Sequence, residues 1–320
     1  MTSVQHGREK AVRFGTTASL VGVLTESATS SPNADRPAVL FLNSGILHRV
    51  GTCRMHVRLA RALSAAGFHC LRFDFSGIGD SDQRRDSLSF EESAVVETRE
   101  AMDYLAKAKG VKQFVLIGLC SGADMAHETA VVDTRVTGLM MLDAWAYKTL
   151  GYHIHRYGPK LLDLGVWRNS IGIRWRQFRG TYVDKRTMVP GSEGVEYEVP
   201  KYVRVFPPRE RVAKDLREFV ARGVQLYYIW TGGLEEYNHR GQHQATFRTV
   251  RFGSQLREEH LSDSTHILTG LQHQEYVERN VVSWLRQIAN VPDVVPDRAS
   301  VPAPNSAPAQ AERPAAARGA

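Results

Sequence analysis

The segment that most constrains the fold is an apolar run that leads directly into a turn flanked by glycines. Residues 114–123 are Phe-Val-Leu-Ile-Gly-Leu-Cys-Ser-Gly-Ala, and a helical pattern follows. This order predicts a buried strand, a sharp G-x-C-x-G turn and a helix, with Cys120 at the centre of the turn. Such a turn strains the backbone of its central residue, so the positions two before and two after it must be small. Gly118 and Gly122 meet that requirement, which favours Cys120 as a nucleophile.

Ser121 is the alternative centre of this turn. In that register the flanking positions would be Leu119 and Ala123, and a leucine would crowd the turn. The spacing therefore favours the thiol over the hydroxyl. A buried cysteine in an ordinary strand–helix connection also stays open, because short motifs match by chance.

A nucleophile of this kind needs a base, and the base needs an orienting acid. In a strand-to-helix turn of this type the expected order along the chain is nucleophile, acid, histidine. The apolar strand 224–230 is followed by Thr-Gly-Gly-Leu-Glu-Glu, which makes Glu235 the candidate acid and Glu236 the second choice. His266 lies on a loop just before the last helical pattern and is the candidate base.

These segments together resemble the α/β-hydrolase superfamily over most of residues 10–290. The stretch Phe73-Asp-Phe-Ser-Gly-Ile-Gly-Asp-Ser81 matches the family's D-x-x-G-x-G-x-S loop, whose role is structural. The cysteine-centred turn and the cap-bearing layout are similar to the serine-aminopeptidase-like and dienelactone-hydrolase-like members. A narrower likeness to the hydrolases associated with the exosortase A system rests on Leu42–Arg49 and Arg72–Ser81.

The same resemblance implies an oxyanion hole built from two backbone amides. Val39–His48 resembles the family's strand and glycine loop, with Gly45 giving the turn and the Ile46 N–H as one donor. The Ser121 N–H would be the second donor.

The resemblance also implies the class of reaction. A cysteine at the nucleophile position resembles dienelactone hydrolases and polyhydroxyalkanoate synthases, whereas the commonest family pattern has serine there and an aspartate as the acid. We therefore expect a hydrolase that cleaves an ester or thioester through a covalent acyl-enzyme on Cys120, which needs no cofactor. Two alternatives are an acyltransferase with the same triad and a non-catalytic binding module with the same fold.

Along the chain, segments with strand and helix patterns alternate, which predicts an α/β fold with a mainly parallel sheet and helices on both faces. An opening hairpin is expected at residues 9–24. Further strands are predicted near 38–43, 69–75, 112–118, 136–142 and 224–230, and helices near 54–66, 91–109, 122–131 and 273–289.

The spacing of the strands predicts the domain organisation. About eighty residues separate the strands that end near Asp143 and begin near Val224, far more than an ordinary connection. We expect a hydrolase core formed by residues 1–147 and 223–290, and a helical cap insertion at 148–222. Residues 291–320 are rich in Pro and Ala and are expected to form a disordered tail.

The predicted cap carries an excess of basic residues. Residues 148–222 contain 16 Lys or Arg against 8 Asp or Glu, while the whole chain has a net charge of +7. This charge either steers an anionic acyl substrate to the site or is simply a solvated basic face. No recognised motif for nucleic acids accompanies it. The candidate steering residues are Arg174, Arg176 and Arg179, and the candidate pocket aromatics are Trp167, Trp175, Tyr182 and Tyr202.

Composition argues against membrane-spanning, secreted, disulfide-bonded and zinc-binding proteins. No apolar run approaches the 18 or so residues that would cross a membrane, and no secretory signal pattern appears, so a cytoplasmic protein is expected. The three cysteines lack the spacing of a disulfide framework or a zinc site, and Cys53 and Cys70 are predicted to be packing residues. The pair His153 and His155 is weak evidence for a metal without further ligands. The oligomeric state does not follow from the sequence.

Overall fold

The molecule is built around an eight-stranded sheet. The computed structural model describes residues 6–16, 19–29, 36–161 and 204–291. Its strands are β1 (Glu9–Phe14), β2 (Leu20–Thr25), β3 (Ala38–Phe41), β4 (Cys70–Phe73), β5 (Phe114–Leu119), β6 (Val136–Leu142), β7 (Gln225–Thr231) and β8 (Leu256–Leu261). Their order across the sheet is β1-β2-β4-β3-β5-β6-β7-β8.

The sheet is antiparallel at one edge and parallel elsewhere. β1 pairs with β2, and β2 with β4, in antiparallel register, while every pairing from β4 to β8 is parallel. The carboxyl ends of the parallel strands therefore meet at one edge of the sheet. The predicted hairpin and the mainly parallel sheet are both confirmed.

The helices connect these strands and cover the sheet. They are α1 (Met55–Ala65), α2 (Phe90–Lys109), α3 (Ser121–Val132), α4 (Leu150–Leu161), α5 (Arg209–Ala221), α6 (Gln242–Thr246) and α7 (Leu271–Ile288). None of the helices in the described ranges is both long and apolar enough to cross a membrane.

Local sequence chemistry sets the bounds of the longest helix, α2. Ser89 accepts a hydrogen bond from the Glu92 amide, and the Glu92 side chain accepts one from the Ser89 amide, which forms a capping box. Gly110 ends the helix in the left-handed region at φ 70°. The helix therefore begins and ends where capping groups satisfy its free backbone donors and acceptors.

The core consists of two apolar layers, one on each face of the sheet. Helices α2, α3 and α5 pack on one face, with Leu105, Ala126 and Leu216 fully buried among the strand side chains. Helices α1 and α7 pack on the other face, with Leu63 and Leu285 fully buried. Helices on both faces explain why the central strands are almost continuously apolar.

Helix α5 differs from the sequence prediction, which placed its residues in the cap. Val212, Leu216 and Phe219 on this helix are buried in the same cluster as β6 and β7. It is therefore a layer of the core, although it lies inside the range 148–222 that the strand spacing assigns to the cap. Residues 162–203, which hold the arginines and aromatics named for the cap, lie outside the described residues, as does 292–320, almost all of the predicted tail.

Candidate active site

The predicted turn after β5 is the centre of the site. Cys120 has φ 53° and ψ −120°, between the end of β5 and the first residue of α3. A Cβ on Gly118 would lie 2.2 Å from the Gly122 carbonyl carbon, and a Cβ on Gly122 would lie 2.6 Å from the Asn43 carbonyl oxygen. Both positions therefore require glycine, and the cysteine stands at the strained position.

We expect Gly118→Ala to destabilise the chain by at least about 1–3 kcal/mol, because the added methyl group meets backbone rather than a movable side chain. Gly158→Ala is the matched control, since nothing lies within 4 Å of a Cβ there and the position is inside α4. Thermal unfolding followed by circular dichroism measures both. Equal midpoints for the two variants would contradict the packing argument at the turn.

Ser121, the alternative nucleophile, has a different place. Its side chain is only 2% exposed, and its Oγ accepts a hydrogen bond of 2.7 Å from the Gly45 amide. The hydroxyl thus holds the loop after β3 against the turn. Cys120 is partly exposed, so it is the more accessible of the two residues.

The acid beside the imidazole is Asp143, a residue that the sequence analysis did not select. It follows β6 directly, has φ 49° and is fully buried. Its carboxylate accepts hydrogen bonds from the Thr231 amide at 2.7 Å and the Thr231 hydroxyl at 2.6 Å. The Nδ1 atom of His266 lies 2.6 Å from Asp143 Oδ2. Thr231, at the end of β7, therefore holds both oxygens of Asp143, and Oδ2 also meets the histidine.

The structure does not bring the predicted acid, Glu235, to the histidine. Glu235 is exposed and Glu236 is half-buried, and neither has a hydrogen bond to His266 in the described part of the chain. The loop after β7 does reach the histidine, since a Cβ on Gly233 would lie 2.3 Å from the His266 amide nitrogen. The loop makes this approach with its backbone only. The carboxylate at the histidine comes from Asp143, which follows the neighbouring strand β6. The available signal was that Asp143 is the first polar residue after the apolar run of β6.

His266 links the acid to the thiol. With Nδ1 donating to Asp143, the other ring nitrogen is the one that can meet the thiol. Its hydrogen bond to Asp143 and its hydrogen bond to Cys120 outweigh partial burial and raise the pKa of His266 to about 9. The imidazole is therefore mainly protonated at neutral pH.

Burial by itself would raise the pKa of the Cys120 thiol, but its neighbours favour the thiolate. The hydrogen bond from His266, the positive charges of Arg204 and His266, and the Ser121 amide together bring that pKa below its ordinary value. A thiolate beside an imidazolium is the reactive form of cysteine.

The loop that follows β3 lies against the turn. Gly45 has φ 52° and its amide is bound by Ser121. Ile46 is 92% exposed, and its N–H donates to no acceptor in the described ranges. The buried carboxylate of Asp74 accepts from the Arg49 amide and from the Asn43 side chain, which fixes both ends of the loop.

The remaining cysteines and histidines do not form a second centre. Cys70 is buried, as predicted, whereas Cys53 is exposed and is not a packing residue. His155 stacks on His239, and His153 stacks on Tyr157. In the described part of the chain, no group of three or more His, Cys, Asp or Glu is placed to hold a metal ion.

Comparison with known proteins agrees with this architecture. Residues 37–154 match the family model described as alpha/beta hydrolase fold. A search of curated proteins found no significant match. The narrower likeness to the exosortase A-associated group stays a prediction.

Solved structures share the fold at low sequence identity. An esterase from Pyrococcus furiosus is 14% identical with a TM-score of 0.52, over 89% of this chain and 91% of that one. Est1E from Butyrivibrio proteoclasticus is 14% identical with a TM-score of 0.53, over 87% and 99%. The naproxen esterase of Bacillus subtilis is 14% identical with a TM-score of 0.52, over 88% and 93%. The family match, the strand order and these neighbours establish that the chain has the α/β-hydrolase fold.

Proposed function

We propose that this chain hydrolyses a carboxylic ester or thioester through a covalent acyl-enzyme on Cys120. The observation that carries the proposal is the grouping of three side chains: His266 Nδ1 lies 2.6 Å from Asp143 Oδ2, and the imidazole is close enough to Cys120 to lower the pKa of its thiol. Cys120 itself is partly exposed at a strained strand-to-helix turn. A nucleophile beside a base that a third group orients is the signature of nucleophilic catalysis. Asp143 takes the role that the sequence analysis gave to Glu235.

In the first half of the reaction, the Cys120 thiolate attacks the carbonyl carbon and forms the carbon–sulfur bond. The oxyanion accepts hydrogen bonds from the Ser121 and Ile46 amides, each of which typically contributes about 2.7–4 kcal/mol of transition-state stabilisation. The intermediate collapses as the bond to the leaving alcohol or thiol breaks. His266 donates the proton that the leaving group takes.

In the second half, water attacks the acyl thioester while His266 accepts its proton. The tetrahedral intermediate expels the Cys120 thiolate and releases the carboxylic acid, and the imidazolium is restored. Asp143 keeps Nδ1 protonated throughout, so the nitrogen that faces the thiol carries out both transfers. No cofactor enters either half-reaction.

The esterase names of two structural neighbours support an ester as the substrate, and the thiol nucleophile supports a thioester equally. The basic balance of residues 148–222 supports an anionic acyl group. A cytoplasmic location is a further proposal from the sequence.

A panel of nitrophenyl esters and acyl thioesters of increasing chain length tests the proposed reaction. We expect wild-type protein to release nitrophenol or thiol at a rate that depends on acyl chain length. Addition of alcohols or amines distinguishes a hydrolase from an acyltransferase. An acyltransferase would form a new ester or amide, whereas a hydrolase would release the free acid. Failure of every activated ester and thioester would contradict the proposal and favour a binding module.

The pH profile of kcat/KM should be bell-shaped, with its alkaline limb near pH 9. His266 has a raised pKa, so the imidazolium is present below about pH 9 and is lost above it. Cys120 has a lowered pKa, so the acid limb should lie below the ordinary thiol range near 8.5. Initial rates from pH 5 to 10 measure both limbs. A single rise centred near pH 8.5 would indicate an unperturbed thiol instead.

A further inference from the structure

We propose that Arg204 is a positioning residue that holds the Cys120 and Asp143 turns in their reactive arrangement. Its guanidinium donates from Nη2 to the Cys120 carbonyl oxygen at 3.2 Å and from Nη1 to the Asp143 carbonyl oxygen at 3.0 Å. One side chain therefore joins the backbones of the proposed nucleophile and the proposed acid. The inference rests on the proposed function for those two roles.

Both turns are places where the backbone needs support. Cys120 and Asp143 have positive φ values of 53° and 49°, a region that residues other than glycine rarely occupy. Strained residues of this kind persist only when surrounding contacts hold them. The planar fork of Arg204 makes four hydrogen bonds, to two carbonyls and to both oxygens of a carboxylate, whereas a lysine has three N–H donors on a single nitrogen.

A buried carboxylate fixes the guanidinium in turn. Asp124, on the first turn of α3, is ion-paired with Arg204 through both carboxylate oxygens, and the Nε–Oδ2 distance is 2.6 Å. The Arg204 side chain is 12% exposed and also lies over the Phe206 ring, 5.1 Å from its centroid. Asp124 does not contact the thiol, so its role is to orient the arginine.

The charge of Arg204 acts on the same site. Among the described residues, the ionisable groups that act on Cys120 are His266 and Arg204, with Asp143 behind the histidine and Asp124 behind the arginine. The positive charge of Arg204 favours the thiolate of Cys120, and this charge remains when His266 gives up its proton. Arg204 thus combines a geometric and an electrostatic effect.

Two substitutions separate these effects. Arg204→Met removes both the charge and the fork, while Arg204→Lys keeps the charge and loses the fork. Arg211→Met is the matched control, because Arg211, like Arg204, is ion-paired with an acid of α3, here Glu128, but has no hydrogen bond to Cys120 or Asp143 in the described ranges.

Alkylation of Cys120 by iodoacetamide, followed from pH 5 to 10 by mass spectrometry of the Cys120 peptide, is the primary readout. Peptide-level detection is needed because Cys53 is exposed. It requires no substrate, so it reports on Arg204 even if no ester is hydrolysed. Where wild-type turnover is found, kcat and KM are measured on the same variants.

We expect the Arg204→Met profile to move to higher pH, with alkylation at pH 6 slowed about tenfold for each unit of that shift. Arg204→Lys should restore most of the profile but still lower kcat with little change in KM. Arg211→Met should match wild type. If Arg204→Met fails to fold, Arg204→Lys alone tests the proposal, through a kcat that falls while KM stays nearly constant. If no turnover is found, the readout is the fraction of Cys120 in Arg204→Lys that iodoacetamide can still alkylate. The proposal would be overturned if the Arg204 variants had the same alkylation profiles against pH and the same kcat values as Arg211→Met.

Discussion

Asp143→Asn is expected to lower kcat/KM by about 10⁴-fold, the loss typical when the orienting acid of such a triad becomes an amide. The amide oxygen can still accept from the Thr231 amide, but an amide nitrogen would then face His266 Nδ1. The imidazole would take the tautomer with its proton on the wrong nitrogen. The pKa of His266 should also fall from about 9, because the hydrogen bond to Asp143 is its largest cause.

The controls for this prediction are Glu235→Gln and Glu236→Gln. Both side chains lie on the loop after β7 but have no hydrogen bond to His266 in the described ranges, so we expect rates within a few-fold of wild type. Steady-state kinetics on one activated ester compares the three variants. A larger loss in Glu235→Gln than in Asp143→Asn would return the role of the acid to the loop after β7.

Cys120→Ala should remove all covalent labelling by an acyl probe and lower kcat by about 10⁶-fold, the order found when a catalytic nucleophile is deleted. Ser121→Ala should keep much of the labelling. It leaves the Gly45 amide without its acceptor, which typically costs about 1–3 kcal/mol and loosens the loop that is proposed to supply an oxyanion donor.

Cys53→Ser is the matched control for the thiol, since Cys53 is exposed and lies outside the triad. Its turnover should equal that of wild type. Labelling that survives in Cys120→Ala and disappears in Ser121→Ala would mean that the serine is the nucleophile.

The parts of the site that the sequence predicts are those that depend on local chemistry. Gly118 and Gly122 flank Cys120 within five residues, and a turn this tight admits little else. His266 was found from its position on a loop before the last helix. The bounds of the central strands follow from their apolar runs for the same reason.

The proposed acid, Asp143, could not be predicted in this way because its partner, His266, is distant in sequence. Asp143 and His266 are 123 residues apart, and only the order of β6, β7 and β8 in the sheet brings them together. Glu235 had an equally good local position, after a strand and beside glycines. Which of two strand ends supplies the acid is decided by sheet geometry and not by the local pattern.

Two elements of the fold were missed for related reasons. Strand β8 has the sequence Leu-Arg-Glu-Glu-His-Leu and is at the edge of the sheet, where half-buried charged residues replace an apolar run. Helix α5 lies within the range that the spacing between strands assigns to the cap. Its buried Val212, Leu216 and Phe219 have the helical spacing that indicates a core-facing helix.

Trapping the acyl-enzyme tests the central claim most directly. Wild-type protein mixed with an excess of an activated acyl thioester is quenched in acid within the first turnover, and its intact mass and peptides are measured. We predict a mass increase of one acyl group on the peptide that contains Cys120, removed by hydroxylamine at neutral pH as expected for a thioester. The same experiment on Cys120→Ala should give no adduct. An adduct on Ser121, or turnover with no adduct at any quench time, would contradict nucleophilic catalysis by Cys120.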